Sequence, residues 1–355
     1  MINLFTDPHL GVDPKTNTSA SSGKALSAKV SQVALELAEQ YKGSNLIMAG
    51  DLFHKSHNKE ATIAEGITLA NSCSIVVGGN HDSTSRADDK SSLELIASVC
   101  PSILSADISK PEIHFGLEFD SGEVVTVIPH QANQEFFDKA VTMACKGEMK
   151  DLVILHCNYN NPFTEGVDTA LNLSPDQAEQ LLKHYQYIVI GHEHIPRREL
   201  EGRLIGLGNT FPTSFSDLSN KYVWHYDNTK ADPWSRTQIW DKETYFLKLD
   251  AAEIYNLPES EFELDEDSVA PQFVDIYGQL DAECMPELAS RIAMIWDKWQ
   301  PFMVRNDVNV TLEDTTSAME EGYRIEDFTS RIRDGLVDAP DMLALFNEKL
   351  AKVGE

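Results

Sequence analysis

Seven short apolar runs punctuate the first 210 residues: Ile2–Thr6, Asn45–Ala49, Ser74–Val77, Val124–Ile128, Leu152–Leu155, Tyr187–Ile190 and Leu204–Leu207. Each is rich in β-branched residues and continuous rather than alternating, the pattern of strands buried on both faces. Between them the period lengthens. Leu26, Val30, Val33, Leu37 and Tyr41 form an apolar stripe at helical spacing. Ser174-Pro175 supplies an N-cap serine and a proline at the first helical position. Strands alternating with helices predict a layered α/β domain. The stretch TNTSASSGK (16–24) reads as a loop.

Beyond residue 225 the texture changes. DNTKADPWSR reads as a polar connector, which places a domain boundary at 226–243. Tyr245–Leu249 and Phe273–Tyr277 read as strands separated by the acidic ESEFELDEDS, Glu287–Trp299 as a helix, and Val308–Leu312 as a strand. Residues 323–353 read as two helices, the second opening at Asp338. A length of 355 residues accommodates two domains.

Composition narrows the class. With 42% hydrophobic and 24% charged residues the chain is expected to be globular, not disordered. No apolar run approaches the roughly 20 residues of a membrane span. Met1 leads directly into INLFT, so no signal peptide is expected. The five cysteines, at 73, 100, 145, 157 and 284, are scattered and contain no CxxC pair. That usage excludes a disulfide framework and points to a reducing compartment, the cytoplasm.

The charge balance is unusual. Against 29 basic residues stand 57 acidic ones, a net charge of −28. Residues 1–225 hold 17 basic and 28 acidic side chains, and residues 226–355 hold 12 and 29. Such a surface opposes non-specific binding to nucleic acid. Any activity on DNA must take its cations from bound metals, a local patch or a partner.

The strand ends carry the candidate chemistry. The first run leads into Asp7-Pro8-His9, the second into Gly50-Asp51-Leu52-Phe53-His54 and the third into Gly79-Asn80-His81-Asp82. Leu152–Leu155 delivers His156, and Tyr187–Ile190 delivers Gly191-His192-Glu193-His194. Asp7-Pro8-His9 or Gly79-Asn80-His81-Asp82 alone would read as a turn. Five strands ending in such residues can instead converge in one crevice at the carboxyl edge of a sheet. Asp7, His9, Asp51, Asn80, His156, His192 and His194 mix carboxylate, amide and imidazole, a set that suits manganese, iron or zinc. Seven ligands exceed the needs of one ion with an open position. Two ions sharing a carboxylate fit them, and such a pair clamps the attacking and leaving oxygens of a phosphoryl transfer. His57, His114, His130, His184 and His225 belong to no such motif and read as surface or packed histidines.

DxH, GD, GNH, H and GHxH in this order resemble the calcineurin-like metallophosphoesterases, over residues 2 to about 216. Protein phosphatases of that superfamily carry GDxxDRG; here Gly50-Asp51-Leu52-Phe53-His54-Lys55-Ser56 has neither that aspartate nor that arginine. GDLFH, GNHDSTSR and the stretch Gly208–Phe215 resemble the SbcD-type nuclease subunit of DNA repair and recombination, and the chain length is similar to bacteriophage versions. The resemblance implies a layered β-sandwich flanked by helices (1–225), a small α/β cap for DNA recognition (244–322) and C-terminal docking helices (323–355).

It also implies a role for each matching residue. Asp7, His9, Asp51 and His194 would hold one metal. Asp51, Asn80, His156 and His192 would hold the other, with Asp51 bridging and a metal-activated water as nucleophile. His81 would protonate the leaving 3′ oxygen, and His54 would position the phosphate or stabilise developing charge. Glu193 occupies a variable position and reads as a supporting or exposed residue.

The expected activity is manganese-dependent exo- and endonucleolytic hydrolysis of DNA phosphodiesters, with magnesium, iron or zinc as alternative ions. The expected substrates are duplex ends, hairpins and single strands. The expected partner is an SbcC-type ABC ATPase, with this chain a homodimer within the complex, in a bacterial cell or phage-infected host. Phe328, Ile332, Leu336, Met342, Leu343, Leu345, Phe346, Leu350 and Val353 supply the apolar face expected to dock it. A stand-alone phosphodiesterase or phosphatase on small phosphoesters would share the metal ligands but lack the cap and docking helices. A non-catalytic acidic interaction protein predicts broken ligands, and none is broken.

Overall fold

A computed structural model describes residues 1–84, 89–161, 171–264 and 268–311. The chain is mixed α/β. Its elements begin with β1 (Ile2–Phe5), α1 (Ala20–Gln40), β2 (Asn45–Met48), α2 (Glu60–Ser72), β3 (Ile75–Val77), α3 (Ser92–Ala97) and β4 (Ile103–Leu104). They continue with β5 (His114–Glu118), β6 (Val124–Ile128), α4 (Gln134–Ala144), β7 (Lys150–His156), β8 (Asn158–Tyr159), β9 (Asn172–Leu173), α5 (Pro175–Leu181), β10 (Tyr185–Gly191), β11 (Arg197–Glu199) and β12 (Leu204–Gly206). The remainder comprises β13 (Lys221–Tyr226), β14 (Trp234–Trp240), α6 (Lys242–Tyr245), β15 (Phe246–Asp250), α7 (Ala251–Asn256), β16 (Phe273–Asp281), α8 (Met285–Lys298) and β17 (Met303–Thr311).

Two six-stranded mixed sheets dominate, ordered β14-β13-β1-β2-β3-β4 and β11-β12-β10-β7-β6-β5. The strands β1 to β4 pair in parallel, as do β6, β7, β10 and β12. Antiparallel strands close both flanks of the second sheet and one flank of the first. All seven apolar runs lie in these parallel strands. Their continuity has a direct cause, because successive residues face different cores. On β7, Leu152 and Ile154 join one apolar cluster while Val153 and Leu155 join another. On β2, Ile47 faces the first of these clusters and Leu46 and Met48 face a third, with residues of α1 to α3. The cluster of Leu152 draws on both sheets, from Ile2, Leu4 and Val77 to Val125, Val189 and Ile205. The cluster of Val153 includes Phe137 and Val141 of α4 and Ala178 and Leu181 of α5.

The segment expected as a loop is half helix. Ser19 caps α1 by accepting from the Ser22 N–H at 3.1 Å, and the Ser22 side chain accepts from the Ser19 N–H at 2.8 Å. A reciprocal box of this kind starts a helix inside a Ser-rich stretch. Ser174 caps α5 with proline at its start, as its sequence implies.

The expected connector at 226–243 is not one. Residues 234–240 form β14, paired with β13 at the edge of the first sheet. Only its two terminal tryptophans are buried, so an edge strand wears a linker's polar composition. Nor does the chain divide at 244. The larger compact unit comprises Met1–Leu249, Pro258–Ile276 and Met294–Asn306. Within it Phe273 and Met303 share a core with Leu26, Val30 and Trp240, so the aromatic packing beside α1 recruits residues assigned to a cap. The smaller unit holds Asp250–Leu257, Tyr277–Ala293 and the chain from Asp307, described to Thr311. In it Ile254 and Leu288 are buried, and Thr311 Oγ1 donates to Asp281. A third sheet is ordered β15-β16-β17. Residues 323–355, the expected docking helices, lie outside the described residues. Among the described residues no helix is long and apolar enough to cross a membrane.

Candidate metal centre

The carboxyl ends of β1, β2, β3, β7 and β10 deliver every proposed ligand, and each element is followed at once by a tight connection. Asp7, His9, Asp51 and His192 all take positive φ, at 53°, 47°, 50° and 78°. Non-glycine residues rarely adopt this left-handed region, which costs of order 1–3 kcal/mol per residue and gathers at functional sites. The surrounding hydrogen bonds hold the strain in place. Asp7 N–H donates to Gly50 O at 3.0 Å, His9 N–H to Asp51 O at 3.1 Å and Leu10 N–H to Leu52 O at 2.9 Å. Two glycines permit the crowding: a Cβ on Gly50 would stand 1.8 Å from His156 Nδ1, and one on Gly79 would stand 2.1 Å from Asp51 Oδ1.

The ligand atoms fall into two adjoining groups. In one, Asp7 Oδ1 lies 3.8 Å from both His9 Nε2 and His194 Nε2, which are 3.0 Å apart. In the other, Asn80 Oδ1 lies 3.1 Å from His156 Nε2 and 2.9 Å from His192 Nδ1. Asp51 faces both: Oδ2 is 3.9 Å from His9 Nε2 and Oδ1 is 3.4 Å from His156 Nε2. All seven sequence-derived positions are thus brought together. Asp7, His9, Asp51 and His156 are buried, and Asn80, His192 and His194 are partly so.

Burial and mutual charge set the protonation of this donor set. Burial lifts the Asp7 carboxyl above its ordinary range, and the like charge of Asp51 adds to the lift against the opposing pull of His156. Burial also pushes Asp51 up, but His156 first and then His9 and His81 outweigh it and hold that carboxyl well below. Desolvation drives His9 well below the usual imidazole range and His192 down to about 3. His156 is driven down by burial and up by Asp51 and Asp7, with a result of about 9. Asp7 Oδ1 itself is buried and accepts no hydrogen bond. A buried carboxylate oxygen left unpaired between two imidazole nitrogens suits a divalent ion.

His54 and His81 stand beside this centre. Their rings stack at 5.4 Å, and His9 meets the His81 ring edge-on at 4.9 Å. The Nδ1 of His81 lies 2.7 Å from the His54 carbonyl, which assigns the proton to Nδ1 and leaves Nε2 free. Burial, then the neighbouring His81, pushes the His54 imidazole down to about 4. At neutral pH it is therefore uncharged, which suits positioning by hydrogen bond over stabilisation by positive charge.

The other histidines are accounted for elsewhere. His57 pairs with Asp89 at 3.1 Å, His184 bonds Gly147 O at 3.1 Å, and His225 bonds Asn3 at 2.8 Å. His114 sits partly buried on the edge strand β5. His130 is buried near His156, ring centroids 6.4 Å apart, yet joins neither ligand group. Glu193 has a supporting role: it pairs with Arg197 at 2.7 Å and accepts from Tyr159 N–H at 2.8 Å, anchoring the loop between His192 and His194.

Three contributors escaped the sequence reading. Asp217 approaches His194 Nδ1 at 3.3 Å, and buried Lys221 donates to the His194 carbonyl at 3.0 Å. Both lie more than twenty residues beyond the GHxH motif, in a stretch with no pattern of its own that points back to it. Asp82, the last residue of GNHD, accepts from the N–H groups of Leu52, Phe53 and Gly79 at 3.0, 2.9 and 3.0 Å. It ties the loop carrying Asp51 to the loop carrying Asn80. Asp82→Ala leaves three buried donors without an acceptor, at roughly 1–3 kcal/mol each before relaxation. Urea unfolding is expected to show a loss of several kcal/mol on that scale, and an unchanged midpoint would refute the clamp. In comparisons with known proteins, no family model and no curated sequence matches this chain.

Proposed function

We propose that this chain is a metal-dependent DNA phosphodiesterase, a nuclease subunit of the SbcD type within the calcineurin-like metallophosphoesterases, acting with an SbcC-type ABC ATPase. The observation that carries the reading is Asp51, whose two oxygens face separate groups of ligand atoms. Two adjoining sites with one shared carboxylate are what a two-metal phosphoesterase requires. Paired sheets sharing an apolar core, with helices on outer faces, agree with the family's layering.

Asp7, His9, Asp51 and His194 would hold one divalent ion, and Asp51, Asn80, His156 and His192 the other. Manganese is the proposed ion. Such a pair, when bound, supplies Lewis acidity and an activated water. The protein's own residues do the rest. Asp51 fixes the spacing of the two sites. His54, uncharged, offers a hydrogen bond to the phosphate. His81 would act as an imidazolium: its Nδ1–H stays on the His54 carbonyl, its Nε2–H passes to the leaving oxygen, and the ring is left neutral. The sequence lacks the GDxxDRG arginine and so the bidentate fork that would grip a dianionic monoester. With a net charge of −28, the chain leaves the long basic track for DNA to its ATPase partner.

The test uses manganese with two chromogenic substrates and a linear duplex, with and without the ATPase. Bis-p-nitrophenyl phosphate should turn over faster than p-nitrophenyl phosphate. The duplex should shorten only while manganese is available, and faster with the ATPase and ATP. A preference for the monoester, or duplex loss insensitive to EDTA, would contradict the proposal.

A further inference from the structure

The four imidazoles of the centre are not held alike. His9 Nδ1 is buried without a partner, and His156 Nδ1 meets only the neutral carbonyl of Ala49, at 2.9 Å. His192 uses Nδ1 toward Asn80. Among the described residues, His194 alone has a carboxylate on its outer nitrogen, Asp217 Oδ2 at 3.3 Å from Nδ1. That carboxylate is 2% exposed and lies in the loop between β12 and β13. Asn209 Nδ2 donates to it at 2.7 Å, Thr213 N–H at 3.0 Å and Ser214 N–H at 2.9 Å, so its orientation is fixed. Lys221, fully buried, bridges the backbone of both residues: its Nζ donates to His194 O at 3.0 Å and to Asp217 O at 2.6 Å.

We infer that Asp217 is a positioning residue that holds His194 with its proton on Nδ1 and its Nε2 lone pair toward Asp7 and His9, so that the two metal positions bind with unequal dependence on this outer carboxylate. The inference rests on the two-metal reading. A carboxylate behind a ligating imidazole fixes its tautomer and raises its basicity, and losing one costs about 10–100-fold in metal affinity. The neutral carbonyl behind His156 makes no comparable electrostatic contribution. Asp217 therefore strengthens the site of Asp7, His9 and His194 and leaves that of Asn80, His156 and His192 largely unaffected. Lys221 keeps the His194 main chain in register with the carboxylate.

The experiment is a manganese titration of the full chain by calorimetry, with bound metal counted by atomic emission. Asp217→Asn keeps the volume and removes the charge; Asp217→Ala removes both; circular dichroism confirms that the variants scored are folded. Wild type is expected to bind two ions. Asp217→Asn should keep one at wild-type affinity and bind the other about 10–100-fold more weakly. Adding Asp217→Asn to His194→Ala should change neither affinity further, because Asp217 acts through that ring. Equal weakening of both ions, no weakening, or a further loss in the His194→Ala background would overturn the inference. Failure of the wild type to bind two ions would instead remove the two-metal reading itself, and the inference with it.

Discussion

Asp51→Asn is expected to abolish tight binding of both metal ions and with it hydrolysis, while the protein still folds. The loss should exceed the roughly 10–100-fold that follows removal of a group that merely orients a ligand. Asp51 Oδ1 and Oδ2 face different partners, His156 at 3.4 Å and His9 at 3.9 Å, so one substitution removes the shared negative charge from both sites and an oxygen donor from one of them. An asparagine replaces one oxygen by an NH2 that has no lone pair for a cation. Folding should survive, because the remaining oxygen can still accept from the His81 N–H, now at 2.9 Å from Oδ1. The exchange also relieves the burial of a charge. Calorimetric titration with manganese and an unfolding curve measure both halves. A variant that still binds two ions would show that Asp51 is not shared.

His81→Ala is expected to behave in the opposite way, keeping both ions and DNA affinity but losing cleavage by about 10²–10⁴-fold, the range for a positioned general acid. Asn80 already presents its oxygen to His156 and His192, so the centre does not need the neighbouring imidazole as a ligand. His81 bonds instead through Nδ1 to the His54 carbonyl, which leaves its other nitrogen for proton transfer. Rates on the bis-diester with a good p-nitrophenolate leaving group should fall less than rates on DNA, whose alkoxide needs the proton. A matching loss of metal would reassign His81 as a ligand.

What the sequence made legible follows from what each residue faces. The parallel strands could be read because both faces are buried, so Leu152 to Leu155 appear as one apolar run. The edge strands could not. On β14 only Trp234 and Trp240 are buried, and on β5 no residue is fully buried, so neither pattern differs from a loop. The metal ligands were legible because strand ends gather them in order along the chain. The left-handed backbone of Asp7, His9, Asp51 and His192 was not, since aspartate and histidine at such positions look like any turn. Asp217 stayed hidden for a different reason: only the fold of the loop before β13 carries it to His194. The start of α1 was hidden by composition, because the serines that cap a helix are the serines that make loops.

A pair of metal ions sharing Asp51 would be seen by anomalous X-ray scattering at the manganese edge from crystals soaked in manganese chloride. Two peaks are expected about 3.5–4 Å apart, the spacing of two-metal phosphoryl-transfer sites. One should be bounded by Asp7, His9 and His194, the other by Asn80, His156 and His192, with Asp51 touching both. A single peak, or peaks away from these residues, would contradict it.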